Sequence, residues 1–525
     1  VWTSDRIVGR IRRARSVALC LFLGLVAGCA PAAREGRHFA IDLTAEMPAD
    51  ETYEDADLAH LQYVLTWEQG DEYLSLSPAG RREFMRVIWA ELDPTPTTPT
   101  NERKKEHYRR LAYVRREFAR KEAPGWDKRG ELLLRYGAPE RRERQTADVV
   151  EGLGLIPPAE VWVYEWLGQA YRLEDARLQN DYQDAFERQG SSRVDLAGNI
   201  ENLAAMSDQP RGFTVQRREV PDPEEQLAAQ QLERMITRGQ VAIHEKPQAY
   251  WHDYGGKKLE YVFDVLNFAA PPADGTRLEV NSALRAAELA FEPVESAWQS
   301  VLEVEAVLKT RDYREVARSQ HVARSRRDAL ATQENDYVLD RLTLEAEPGD
   351  YVLALSIRDS CSGNVGFYQT DVEVREFRPD LLSLSDIELA LDIDRGIPGY
   401  PFTKGELEVI PYPLGTYPVD EDVHLYFEIY GLTLSPTGDA LYTVEFTVSP
   451  RDVGFSSWFG SSKGRVVPGV GTAYEGSGQE SVAREFIVLE SATFRAGVYD
   501  VALRVTDRVT GQTVTGAVAF GIDRA

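Results

Sequence analysis

Residues 348–364, PGDYVLALSIRDSCSGN, decide the fold, because the chain says the same thing twice. Residues 496–512, AGVYDVALRVTDRVTGQ, repeat the pattern at a constant offset of 148. Gly349, Tyr351, Leu353, Leu355, Ile357, Asp359 and Gly363 align with Gly497, Tyr499, Val501, Leu503, Val505, Asp507 and Gly511. Apolar residues fall at every second position, the period of a strand with one buried face. The Asp-x-x-Ser/Thr-Gly that follows is a hairpin-turn signal. YVFDVLNF, from Tyr261, and LYFEIYGL, from Leu425, supply earlier strands that also match. Two tandem all-β sandwiches of an immunoglobulin-like kind are therefore expected, over 246–378 and 379–525. Asp359 and Asp507 belong to different modules. They read as turn carboxylates that accept backbone N–H groups, not as a catalytic pair.

The first half has a different rhythm. Leu58, Leu61, Leu65, Tyr73 and Leu74 form a helical stripe. Ser77 and Pro78 cap and open a second helix, with Phe84, Val87 and Ile88 on one side. Three prolines in DPTPTTPTNE break it, and a third helix follows with Tyr108, Leu111, Val114 and Phe118 spaced three and four apart. ELLLRYG, from Glu131, reads as a short apolar strand. VWVYEW, from Val161, reads as a second, and AYRLEDARLQNDYQ, from Ala170, as a third or as a strand leading into a tail. A connecting region over 183–245 holds one helix predicted over 223–238. Asp222 caps it, Pro223 opens it and Gly239 closes it, with Leu227, Ala228, Leu232 and Met235 on the packing face.

Between Glu102 and Arg144 stand fifteen Lys and Arg against eight acids, in a chain whose net charge is −25. Here DPTPTTPTNERKKEHYRRLAYVRREF, PGWDKRGELLLRYGAPE and VWVYEW follow one another. Their Asp-Pro, Asn-Glu, His-Tyr, Gly-Trp, Arg-Gly and Tyr-Gly-x-Pro landmarks resemble the GWxTD domain of bacterial secreted and lipid-anchored proteins. The resemblance spans roughly 58–182, within an α+β domain assigned to 55–182. It departs at the name-giving motif, which runs Gly125-Trp126-Asp127-Lys128-Arg129-Gly130 without Thr-Asp. The resemblance implies an architecture and a compartment, and no reaction.

The start of the chain points to the same compartment. Arg6, Arg10, Arg12, Arg13 and Arg15 precede an apolar run from Val17 to Val26, which leads into Val26-Ala27-Gly28-Cys29. This reads as a lipoprotein signal peptide over 1–28, with Cys29 as the lipidated residue and 29–54 as a flexible tether. Ala30 after the Cys favours the outer over the inner membrane. Of the three cysteines, Cys361 then remains as a free thiol, so no internal disulfide is expected.

The strong negative charge argues against nucleic acid as a partner. No phosphate loop, nucleophile elbow, EF-hand or His/Cys metal spacing is present, so no cofactor, metal or catalytic cluster is assigned. The first functional expectation is an interaction or scaffold protein anchored by its lipid, with an envelope protein or glycan as partner. The alternative is a glycan-binding or glycan-hydrolysing protein. For binding, Arg109, Arg116, Trp126, Arg129, Arg135 and Tyr136 would line a groove for an anion or sugar. For hydrolysis, Asp127 or Glu131 would supply the carboxyl group.

Overall fold

The computed structural model describes residues 2–3, 41, 43, 57–150, 154–184, 223–245, 250–270, 275–329, 336–396, 402–451, 470–490 and 494–523. Residues 4–28 of the predicted signal peptide, Cys29 and Asp222 lie outside them. Among the described residues strands dominate, and the α-helices all fall before residue 246. The chain divides into two compact units. One holds the helices and a small sheet; the other holds 253–525 together with 95–99.

In the first unit, α1 (Leu58–Leu61), α2 (Trp67–Ser75), α3 (Pro78–Glu91), α4 (Glu102–Glu117) and α5 (Lys128–Tyr136) each begin at a side-chain cap. Asp57, Thr66, Ser77, Asn101 and Asp127 accept backbone N–H groups that the first turn leaves unpaired. A four-stranded antiparallel sheet follows in sequential order: β1 (Arg141–Gln145), β2 (Ala159–Tyr164), β3 (Gln169–Glu174) and β4 (Gln183–Asp184). Trp89, Leu111, Val114, Trp126, Leu133 and Trp162 sit in its common core.

Two expectations fail in this unit. Residues 131–136 are helical, not a strand. Three consecutive Leu carry no period of their own, and the flanks decide. Asp127 caps the start, Glu131 pairs with Arg135 one turn on at 3.0 Å, and Gly137 ends the helix at φ +83°. The later helix, α6 (Pro223–Glu245), runs straight past Gly239. That glycine serves packing: a Cβ there would lie 2.4 Å from the Ala170 carbonyl oxygen and 3.2 Å from the Tyr171 ring. The helix thus rests on β3 through its one bare position. Leu227, 56% exposed, and Ala228 are not on the buried face. Gly239→Ala, which favours an isolated helix, is expected to destabilise this protein by about 1–3 kcal/mol through overpacking. A thermal melt higher than wild type would contradict it.

The β unit contains two modules, each of two sheets around one core. In the first, β5 (Tyr261–Ala270), β6 (Gly275–Arg285), β7 (Ala297–Thr310), β8 (Glu315–Arg327), β9 (Tyr337–Ala346), β10 (Gly349–Asp359) and β11 (Val365–Val374) form the sheets β8-β7-β10-β11 and β9-β6-β5. Leu278, Val280 and Leu284 of one meet Val304, Leu353 and Leu355 of the other. Trp2–Thr3 lies parallel beside β8. The proline-rich 95–99 segment lies on this module: Lys309 and Arg318 donate to the carbonyls of Pro96 and Thr97, at 2.6 and 2.9 Å.

In the second module the strands are β12 (Glu388–Arg395), β13 (Leu407–Pro411), β14 (Val423–Tyr430), β15 (Ala440–Pro450), β16 (Val470–Gly478), β17 (Ala483–Leu489), β18 (Gly497–Asp507) and β19 (Thr513–Asp523). One sheet joins β17 and β12 to β14, with β13 beyond β12; the other runs β19-β18-β15-β16. The sequence repeat is also a repeat of position: β10 lies between β7 and β11 as β18 lies between β15 and β19. Asp359 accepts from the N–H groups of Cys361 and, from the opposite sheet's exit loop, Ala290. Asp507 does the same with Val509 and Thr433. Gly363 and Gly511 close the two turns at φ +78° and +77°. The Tyr499 hydroxyl donates to the Arg495 carbonyl at 2.9 Å, tying the strand's start to the chain just before it.

Candidate functional site

The basic stretch of the first unit folds in on itself. Trp126 is 6% exposed, and its indole N–H points to the Tyr63 hydroxyl at 3.4 Å. Gly130, one turn along, would place a Cβ 2.8 Å from Trp126. Tyr136 stacks on Tyr171 with ring centroids 5.7 Å apart. Arg129 is buried against Asp127 and Asn180, and its guanidinium lies 4.0 Å from the Tyr182 ring centroid. Arg135 pairs with Glu131, and Arg116, at the surface, with Glu117 at 2.7 Å. Arg109 is part-buried on α4. Trp126, Arg129 and Tyr136 are thus buried, Arg109 and Arg135 are part-buried, and Arg116 is exposed.

The two carboxylates at the centre of this stretch are saturated. Asp127 accepts the Arg129 N–H at 3.0 Å on one oxygen. The other takes the Arg129 and Arg120 guanidinium groups at 2.7 and 2.8 Å and the Tyr182 N–H at 3.2 Å. Glu160 takes Arg142 in a two-pronged contact at 2.8 and 3.0 Å, Arg144 at 3.2 Å and the Trp162 indole at 2.8 Å. Burial pushes the Glu160 carboxyl up, but Arg142, Trp162 and Arg129 outweigh it and hold it below the usual range. Glu131 is held by Lys128 and Arg135. Carboxylates so engaged are poor acids and bases. Sequence reasoning did not bring out a buried pair nearby, His60 and His107. Their Nδ1 and Nε2 atoms are 3.0 Å apart, and burial foremost depresses the pKa of His107.

A second cluster, in the β unit, went unseen in the sequence. Glu279 of β6, Arg341 of β9, Glu388 of β12 and Lys404 are all buried together. The Lys404 ammonium lies 2.7 Å from Glu279 and 2.5 Å from Glu388, and 3.6 Å from the Phe268 ring centroid. Arg341 pairs with Glu388 and donates to Asn281 at 2.9 Å. This is the junction of the two modules, flanked by Phe268, Ala390, Val409 and Tyr426.

Beside the junction opens a cavity of about 410 Å³. Phe263, Asp264, Val265 and Asn267 of β5 line one side, and residues 370–373 of β11 the other. Asp264 connects the cavity to the cluster, because Asn281 donates to it at 3.0 Å and also reaches Glu388 at 3.3 Å. Burial, and then the charge of Glu388, push the Asp264 carboxyl up to about 7. A raised acid keeps its proton in the folded state after the unfolded chain has lost it. Its cost to stability therefore grows from about pH 4 to about pH 7 and is constant above. Asp264→Asn should be more stable than wild type at pH 8, with the advantage shrinking as pH falls to about 4. Urea titrations at several pH values check this; an advantage independent of pH would refute it.

No protein-family model and no curated protein matches this chain.

Proposed function

We propose that the chain is a lipid-anchored bacterial envelope protein that works by binding, with Cys29 as the anchor and an outer-membrane destination. In this reading residues 58–182 are a GWxTD-like domain with a structural role, and the two β modules are immunoglobulin-like and carry the interaction surface. The observation that supports it best is the cavity between β5 and β11. It is a concave feature with strand edges on both sides, in a chain whose candidate acids and arginines in the first unit are largely engaged internally. Tandem sandwiches with an open seam suit protein–protein contact.

The test places a photo-crosslinking residue at exposed Gln369, on β11, and at exposed Val509, in the turn after β18. A discrete protein adduct from position 369 and none from 509 is the expected result. Identical adducts from both, or none from either, would defeat the interaction reading. The anchor is checked separately: labelled palmitate should enter wild type and not Cys29→Ala.

A further inference from the structure

Two sheet edges face each other across the cavity. Among the described residues β5 has one strand neighbour, β6, and β11 has one, β10. Backbone groups of alternate residues in an antiparallel strand point to opposite sides. Asn267 sends its N–H to the Asp386 carboxylate at 2.7 Å, and Leu259, Asn267 and Ala269 all bond away from β6. Phe263 and Val265 share their parity, so their N–H and C=O groups face the cavity. On β11, the Val365 carbonyl accepts from Leu259, and the Arg375 N–H donates to the Asn267 side chain at 3.1 Å. Asp371 and Glu373 share that parity and face the cavity from the other side.

The two edges run parallel, as the Lys258–Val365 bridge shows. They are joined at one end by Leu259 and Val365 and at the other by Asn267 and Arg375, and stand apart between. The outcome is a split seam, closed at both ends and open in the middle, with two rows of backbone donors and acceptors turned inward.

Its charge has one sign. None of the eight lining residues is basic, and three are acids: Asp264, Asp371 and Glu373. Asp371 is engaged by Arg311. Among the described residues Asp264 has Asn281 as its hydrogen-bond partner and no ion pair, and Glu373 has no ion pair. Phe263, Val265 and Val372 add apolar side chains to the lining, beside the polar Asn267 and Thr370.

We propose that this seam receives a short extended peptide segment of a partner protein, bearing Lys or Arg, which adds as a strand along the Phe263–Val265 and Asp371–Glu373 edges. The inference rests on the interaction reading above and names the chemistry of its partner. Unpaired strand edges are templates for an incoming strand, and main-chain bonds supply the affinity while side chains supply the choice. At 3.2–3.4 Å per residue, a stretch of about three residues spans the open part. Its basic side chains meet Asp264 and Glu373.

The probe is a fluorescein-labelled, end-blocked peptide, Val-Lys-Val-Lys-Val, titrated with the full chain in detergent at low salt and pH 8. Saturable anisotropy is expected, weaker by about tenfold or more for Val-Glu-Val-Glu-Val and for the Lys peptide N-methylated at its central residues. The double variant Asp264→Asn, Glu373→Gln should weaken the Lys peptide by about tenfold. Equal affinity of the N-methylated peptide would overturn the proposal, since a cation pocket needs no backbone bonds. Equal affinity of the Glu peptide, an unaffected double variant, or no saturation would also overturn it. Self-association of the double variant with no peptide binding by wild type would show that the acids only keep edges apart. A partner captured at position 369 without peptide affinity would sink this inference and leave the interaction reading standing.

Discussion

Glu388→Ala should lower the stability of the β unit by about 3–5 kcal/mol, the cost of leaving buried charge without its partner. Glu388 is 0% exposed and, like Glu279, is touched by both Lys404 and Arg341. Without it, Lys404 keeps Glu279 at 2.7 Å, and Arg341 keeps Glu279 at 3.4 Å, the Asn281 amide oxygen and the Val409 carbonyl. Two cations then share one acid in a dry site, with Arg277 also on Glu279 at 3.0 Å. Removing one acid and one cation together is a different experiment. Glu388→Leu with Lys404→Met is expected to recover much of the loss, because Glu279 and Arg341 remain as a pair at 3.4 Å and no buried cation is left in excess. Denaturant unfolding of the single and double variants checks both. A single variant within about 1 kcal/mol of wild type would mean that the site is wet.

Asp127→Ala is the second large effect, also about 3–5 kcal/mol, and it falls on the first unit. One side chain caps α5, anchors Arg129 and Arg120, and receives the Tyr182 N–H. Its loss strips the cap and leaves the buried Arg129 with Asn180 and a longer contact to Glu160 at 3.5 Å. Asp127→Asn keeps an acceptor for the cap and should lose about half as much. Circular dichroism melts measure both; equal losses would show that charge has no part in it. The result also bears on Gly125-Trp126, where the residue after Trp126 is the one that fastens the helix.

What was legible in the sequence was local. A cap and periodic stripes placed α3 and α4, since Ser77 and Pro78 act within one first turn and Tyr108, Leu111 and Val114 recur along one face. The repeat gave β10 and β18 and their Asp turns, because period-two alternation and a glycine at the turn are short-range signals. What escaped was set at long range. Leu132, Leu133 and Leu134 suit a helix or a strand equally, and Asp127 decides only once it is seen as a cap. Gly239 looks like a stop until the Ala170 carbonyl is found opposite it. Glu279 and Asn281 alternate with Leu278 and Val280 as a solvent face would, yet the second module covers that face. The burial of Arg129 and Trp126 is of the same kind: Asp127 and Tyr63 hold them from within their own unit, which composition does not reveal.

The charged junction has a mechanical side. Charges from β6, β9 and β12 interlock with Lys404, and Asn267 grips Asp386 across the same boundary. A chain tethered at one end and gripped by a partner at the other would carry tension through this joint. Beads on a slack string would stretch one after another; a joint welded by opposed ions should hold both modules as one stiff link and yield in a single rupture.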